Sequence, residues 1–226
     1  MNVTETVYTF LRRKLASGVY DPGMHLKEEA IAAEMGVSRT PVRAALTRLI
    51  AEGLLSPGQK RGAIVTQWRK EDVSEIFAIR ILLEGHGAFL CATHATPEQI
   101  ATLEATCTAM EEAFASQRSG WLDVLGEGNR VIHEMLYDGS GSPYLRISGR
   151  HLLDVQMVMG GFYIYNDDDI AESLHHHREL TKAIRLGNGP WARAVIACHL
   201  GAAMERFLRN DGEPLRRDRP QGAAAG

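Results

Sequence analysis

Apolar residues along the first fifty positions recur at helical spacing. In TETVYTFLRRKLASG they fall at Val7, Phe10, Leu11 and Leu15, one face of a helix that Gly18 stops. DPGMHL then reads as a turn, and LKEEAIAAEMG predicts a short Ala-rich helix ending at Gly36. SRTPVRAALTRLIAEG follows after only a tight break. Ser38 is an N-cap residue there and Pro41 is tolerated in the first turn. Val42, Ala45, Leu46, Leu49 and Ile50 make one apolar stripe before Gly53. The pattern then changes: LLS and AIVT are short extended pieces flanking PGQKRG, a Pro/Gly turn with two cations. Helix, helix, tight turn, helix and a small β-hairpin is the outline of a winged helix-turn-helix, expected over residues 1–67.

WRKED, residues 68–72, reads as a linker. Beyond it the apolar period is helical throughout, with helices expected at about 71–92, 97–117, 120–137, 142–165, 168–187 and 190–209. Pro97, Gly120, DGSGSP, NDDD and GNGP separate them. Asn166 can cap the fifth, and Asp167 to Asp169 suit the positive end of its dipole. Residues 210–226 are charged, rich in Pro and Gly and poor in apolar residues, the composition of a disordered tail. The fold class is therefore mainly α: a winged helix-turn-helix, then an all-α bundle of about six helices.

Composition narrows the class. The chain has 226 residues, 45% hydrophobic and 23% charged, which suits one or two soluble domains. No uninterrupted apolar run approaches a bilayer span, and the alternating N-terminus is unlike a signal peptide. Cys91, Cys107 and Cys198 are widely spaced and odd in number, as expected of core residues in a reduced, cytoplasmic protein. The net charge of −3 conceals an asymmetry. Residues 1–70 hold 11 Lys/Arg against 6 Asp/Glu, a net of +5, whereas residues 71–226 hold 14 against 22, a net of −8. Only the first part suits a polyanion.

A recognition helix reaches base edges with its N-terminal residues, here Ser38, Arg39, Thr40, Pro41 and Arg43. Arg39 and Arg43 stand one helical turn apart and can project toward the same groove. An arginine fork can take guanine O6 and N7 together, and the hydroxyls of Ser38 and Thr40 suit phosphates. GVSRTPVRAALTRLIAEGLL, with KRGAIV after it, resembles the GntR family of winged-helix regulators across residues 5–66. The resemblance implies that Arg39 and Arg43 read bases or adjacent phosphates. It also implies that Lys60, Arg61 and Gly62 of the wing lie along the backbone or minor groove. One position departs: many members carry a basic residue seven places before the glycine of GVSR, and this chain has Glu29 there. That phosphate contact is lost and altered specificity follows.

Residues 73–209 resemble the helical effector-binding domain of the FadR subfamily, the FCD domain. The resemblance rests on IRILLEGHGAFLCA, NRVIHEMLYDGSGSPYL and HRELTKAIRLGN with ACHL. Many such domains hold a divalent metal with an Asp and a His four residues apart plus two later histidines. The pattern falls here on Asn129, His133, His177 and His199, with a neutral carboxamide where the family offers a carboxylate. Three neutral imidazoles favour a divalent transition metal, Zn first, with Ni or Fe as alternatives. In SLHHHRELTKAIRLG successive residues point about 100° apart on a helix, so His175 and His176 face elsewhere than His177. His86 and His151 could line the cavity. Arg80 could clamp an effector carboxylate or pair with Glu84, four residues on.

These readings imply a cytoplasmic, nucleoid-associated regulator and no enzyme. It would bind a palindromic operator in double-stranded DNA as a homodimer, most simply as a repressor, and answer to a small carboxylate effector. No membrane partner is expected. A regulator in which the ion itself is the signal is the alternative, with a metal-dependent hydrolase a distant third.

Overall fold

A computed structural model describes residues 2–16, 18–58, 61–158 and 161–209 of the chain. They fall into two compact units, one built on residues 2–68 and the other beginning at Arg69. The expected disordered tail, 210–226, lies outside the described residues.

The first unit runs α1 (Val3–Ala16), β1 (His25–Leu26), α2 (Glu28–Met35), α3 (Arg39–Ala51), β2 (Leu55–Pro57) and β3 (Ala63–Val65). α1 packs on α3, bringing Val7, Leu11 and Leu15 against the stripe of Val42, Ala45, Leu46 and Leu49, all buried; Ile50 is half-buried. Between α2 and α3 the chain reverses at Gly36, whose φ of +64° is left-handed, and Val37 N–H donates to the Ala32 carbonyl at 3.0 Å. A glycine adopts that conformation without a Cβ clash, so only three residues need separate α2 from α3. The expected two-stranded hairpin is a three-stranded antiparallel sheet of order β1-β3-β2. DPGMHL is thus more than a turn, because His25 and Leu26 pair with Ile64 and Ala63.

The second unit holds α4 (Lys70–His94), α5 (Pro97–Ser116), α6 (Trp121–Asp138), α7 (Pro143–Val158) as far as Leu153, α8 (Asp167–Arg185) and α9 (Gly189–Arg209). α4 begins inside the stretch expected as a linker. α7 is described to Val158, residues 159–160 lie outside the described residues, and Gly161–Ile164 is a 3-10 turn where a helix running to about residue 165 is expected. Sequence-local bonds set the starts. Thr96 Oγ1 accepts from Gln99 N–H ahead of α5, and Asn166 Oδ1 accepts from Asp169 N–H ahead of α8 while Asp169 returns the bond. α4 packs on α9, α6 and α8, and α5 on α6 and α8. Although no uninterrupted run predicted it, α4 is long and apolar enough by composition to cross a membrane. Its packing on three helices, and a buried Arg80 and Glu84 at mid-length, make it the central helix of this bundle. Cys91 and Cys107 are core residues as expected; Cys198 is exposed instead.

Candidate functional site

In the first unit the candidate nucleic-acid residues gather at the start of α3 and in the wing. Ser38 is the N-cap in extended conformation, but its side chain makes no capping hydrogen bond. Ser38, Thr40 and Arg43 are exposed, and Arg39 and Pro41 are half-buried. Both arginines meet carboxylates of α2. Arg43 donates from Nε and Nη2 to the two oxygens of Glu28, at 2.9 and 2.8 Å, and Arg39 Nη1 lies 2.8 Å from Glu29 Oε1. Glu28 is itself buried, and the Arg43 hydrogen bonds hold its carboxyl below the usual carboxylate range. Arg61 is exposed; Lys60 lies outside the described residues. Gly62 has φ of +127°, and a Cβ there would stand 2.2 Å from the Leu26 carbonyl oxygen. The wing and β1 approach as closely as they do because this residue has no side chain.

In the second unit three histidines from three helices converge. His133 follows Ile132 on the buried face of α6, His177 follows Ser173 and Leu174 by a helical turn on α8, and His199 extends the Val195–Ile196 face of α9. All three are buried, and one ring nitrogen from each lies within 4.8 Å of the others. His133 Nε2 is 3.3 Å from His199 Nε2, and the rings of His177 and His199 are 4.5 Å apart. Two nitrogens on one tetrahedral Zn would be separated by about 3.3 Å, given bonds of about 2.0–2.1 Å.

The polar atoms test whether such an ion fits. Among the described residues, neither ring nitrogen of His177 has a hydrogen-bond partner, nor has His199 Nδ1. Buried polar groups are ordinarily satisfied, and a metal ion that accepted one lone pair from each ring would satisfy one of the two His177 nitrogens. Burial holds His177 and His199 well below the ordinary imidazole pKa, reinforced by the neighbouring imidazoles. They are therefore neutral at pH 7, the form that ligates metals. The donor set fits a transition metal.

Glu84, unforeseen as part of this site, sets the orientation of His133. Its Oε2 meets His133 Nδ1 in a short contact, and its Oε1 accepts from Arg80 Nε at 2.6 Å. Arg80 Nη2, a donor only, lies 3.3 Å from the same Nδ1. With Nδ1–H given to the carboxylate, His133 presents the Nε2 lone pair to His199. Burial alone would raise the Glu84 pKa; Arg80 and His133 overcome it, and the carboxyl ends below its usual range. The one sequence signal was the i,i+4 spacing of Arg80 and Glu84. Nothing in the spacing placed His133, forty-nine residues on, beside them.

The other candidates are dispersed. Asn129 stands one turn before His133 on α6 and is half-buried. His175 is exposed, while His176 is half-buried with its ring 5.9 Å from that of His199 and its Nδ1 unpartnered. His86 is exposed on α4, contrary to a cavity position, and the His151 side chain lies outside what is described. Arg80 is buried in the Glu84 pair beside the triad.

Comparison with known proteins agrees with both units. The model for the bacterial regulatory proteins of the gntR family matches residues 3–65, and that for the FCD domain matches residues 75–202. The chain is 29% identical over 202 residues to the HTH-type transcriptional regulator YdhC of Bacillus subtilis (strain 168), covering 88% of each. It is 28% identical over 200 residues to the HTH-type transcriptional regulator McbR of Escherichia coli (strain K12), covering 87% of this chain and 89% of McbR. A solved structure of E. coli McbR/YncC shares the fold with a TM-score of 0.81 at 23% identity, covering 92% of this chain and 98% of that one. The winged unit, the six-helix unit and these matches together place the chain in the GntR family of bacterial regulatory proteins, in its FadR-like, FCD-containing branch: a DNA-binding transcription regulator, not an enzyme.

Proposed function

We propose that this regulator is a cytoplasmic repressor that binds a palindromic operator as a homodimer and is released when a small carboxylate effector binds its helical domain. DNA binding is assigned to residues 1–67, a linker to 68–72, and effector binding with dimerisation to 73–209. Ser38, Arg39, Thr40, Pro41 and Arg43 enter the major groove, with Arg39 and Arg43 taking base edges or the phosphates beside them. Lys60, Arg61 and Gly62 follow the backbone or minor groove. Each bidentate arginine–guanine contact discriminates by about 1–3 kcal/mol.

In the helical domain His133, His177 and His199 would hold a divalent transition metal, Zn before Ni or Fe, with Asn129 near enough in sequence to add a carbonyl oxygen. The ion would supply a positive centre for a carboxylate, and Arg80 a second one. The observation that carries this is the buried His177 ring, one nitrogen of which lies within 4.8 Å of nitrogens of His133 and His199 and neither of which has a partner among the described residues. An effector that prefers one dimer geometry shifts the population toward it, and DNA affinity changes by the same coupling.

The test is titration of the DNA flanking its own gene, with and without a panel of hydroxy, keto and sugar acids in metal-loaded protein. An acid that weakens operator binding while leaving binding to unrelated DNA unchanged is the expected result. Arg43→Ala should abolish operator preference; retained preference would show that α3 is not the reading helix. Response to metal alone, with every acid silent, would point to the ion as the signal.

A further inference from the structure

The recognition arginines of this chain are not bare cations. Arg43 is gripped along its Nε–Nη2 edge by Glu28, a carboxylate whose side chain is only 5% exposed. The opposite edge of the guanidinium is left to face outward on a side chain that is 56% exposed. That remaining edge still offers two donors, the arrangement that matches guanine O6 and N7. Held on one side, the side chain gives up less freedom on meeting a base.

Arg39 is held differently. Its Nη1 sits 2.8 Å from Glu29 Oε1, and its Nε is 3.8 Å from the same Glu28. Glu29 is 55% exposed, so unlike Glu28 it stands in solvent at the margin of the reading surface. Two carboxylates thus balance two guanidiniums at the tip of α3. Arg61 of the wing is the further cation that acts on Glu28.

Resting on the DNA-binding reading above, we infer that Glu29 is a specificity-determining residue: it holds Arg39 away from phosphates and releases it only to a base edge. Binding to arbitrary DNA is driven by phosphate neutralisation and counterion release. On such DNA a phosphate must compete with Glu29 for Arg39. On the operator a two-point base contact replaces the ion pair and compensates its loss. The carboxylate therefore weakens binding to unrelated sequence more than binding to the operator. The sequence departure at this position is then a gain in selectivity rather than only a missing contact.

Glu29→Gln removes the charge at an exposed site and should leave the fold intact, as circular dichroism would verify. Fluorescence anisotropy would compare wild type, Glu29→Gln, Arg39→Ala and the double variant on operator and on an unrelated duplex across a salt series. Glu29→Gln is expected to tighten the unrelated duplex about threefold or more beyond any change on the operator. Its unrelated-DNA salt slope should steepen by about 0.9, one added phosphate contact. In the Arg39→Ala background both effects should vanish, since the carboxylate acts through that arginine. Equal tightening on both duplexes, or an effect that persists without Arg39, would overturn the inference while leaving the DNA-binding reading standing. A wild-type protein that cannot tell operator from unrelated DNA would overturn the reading itself, and this inference with it.

Discussion

Acid should unfold the metal-free protein earlier than its carboxylates alone would dictate, and the triad sets the size of the effect. His177 and His199 are buried, and burial holds both well below the ordinary imidazole value. The groups facing them are His133 from α6, His176 from α8, and the Arg80–Glu84 pair from α4, none of which offers His177 a hydrogen bond. In the unfolded chain each imidazole takes its proton near pH 6.5. The unfolded state therefore binds more protons than the folded one below that point, so stability is full above it and falls as pH drops. Between about pH 7.5 and about pH 5.5 the two histidines together remove on the order of 2–3 kcal/mol. At about 2–4 °C per kcal/mol this is a fall in melting temperature on the order of 5–10 °C. Glu84 does not blur the window, because its pKa lies below the usual carboxylate range. The assay is thermal and urea unfolding of chelator-treated protein at several pH values, beside His177→Leu. That variant should lose about half the pH dependence. At pH 7.5 it should be no less stable than wild type, since replacing an unpaired buried polar ring by an apolar side chain relieves a cost of about 1–3 kcal/mol. A wild-type stability flat across the window, or a His177→Leu protein with an unchanged pH profile, would refute the reasoning.

Three further outcomes follow from close contacts and from charge. Gly62→Ala puts a Cβ 2.2 Å from the Leu26 carbonyl oxygen at a left-handed φ of +127°; it should cost about 1–3 kcal/mol, and operator affinity measured by anisotropy should fall with it. Gly149→Ala drives a methyl to 2.2 Å from the buried Tyr137 ring; overpacking of about 1–3 kcal/mol should appear in thermal melts, without change in DNA affinity at 25 °C. Asn129→Asp should tighten metal binding about tenfold or more, read by competition with a chromophoric chelator; unchanged affinity would remove Asn129 from the site.

The fold was legible where apolar period and punctuation agreed. Val7, Leu11 and Leu15 against Val42, Ala45, Leu46 and Leu49 is a core written in two helical stripes, and Asn166 announced the start of α8. β1 was not legible, because His25 and Leu26 are too few to show a two-residue period and sit behind Pro22 and Gly23, which read as a turn. A strand that short exists only because β3 offers it a partner. The end of α7 was misjudged for a related reason: apolar residues continue through FYIY and conceal the break to a 3-10 turn at Gly161. The site divided in the same way. His133, His177 and His199 lie on three helices, and no spacing rule joins such positions; only the family resemblance did. Glu84 escaped because its Arg80 pairing already accounted for it. Glu28 and Glu29 were visible as acids, but their grip on Arg43 and Arg39 depends on how the α2–α3 turn brings two helix starts together.

Charge at the triad explains why metal and effector should depend on one another. Arg80 and Glu84 cancel, being paired at 2.6 Å and both fully buried. Three neutral imidazoles add no charge, and Asn129 adds none where an aspartate would supply −1. A divalent ion entering this cluster therefore brings its full +2 into a buried place. The desolvation cost of that charge is several kcal/mol unless an anion accompanies it. A carboxylate effector is such an anion, and it would meet the ion and the Arg80 guanidinium from the same side of the charge balance. Whatever factor the acid contributes to metal affinity, the metal must contribute to acid affinity, by linkage. An aspartate at position 129 would supply part of that countercharge permanently, making the metal tighter and the acid weaker. On the proposed function, the neutral asparagine would make the ion a conditional ligand, held well only when the signal is present.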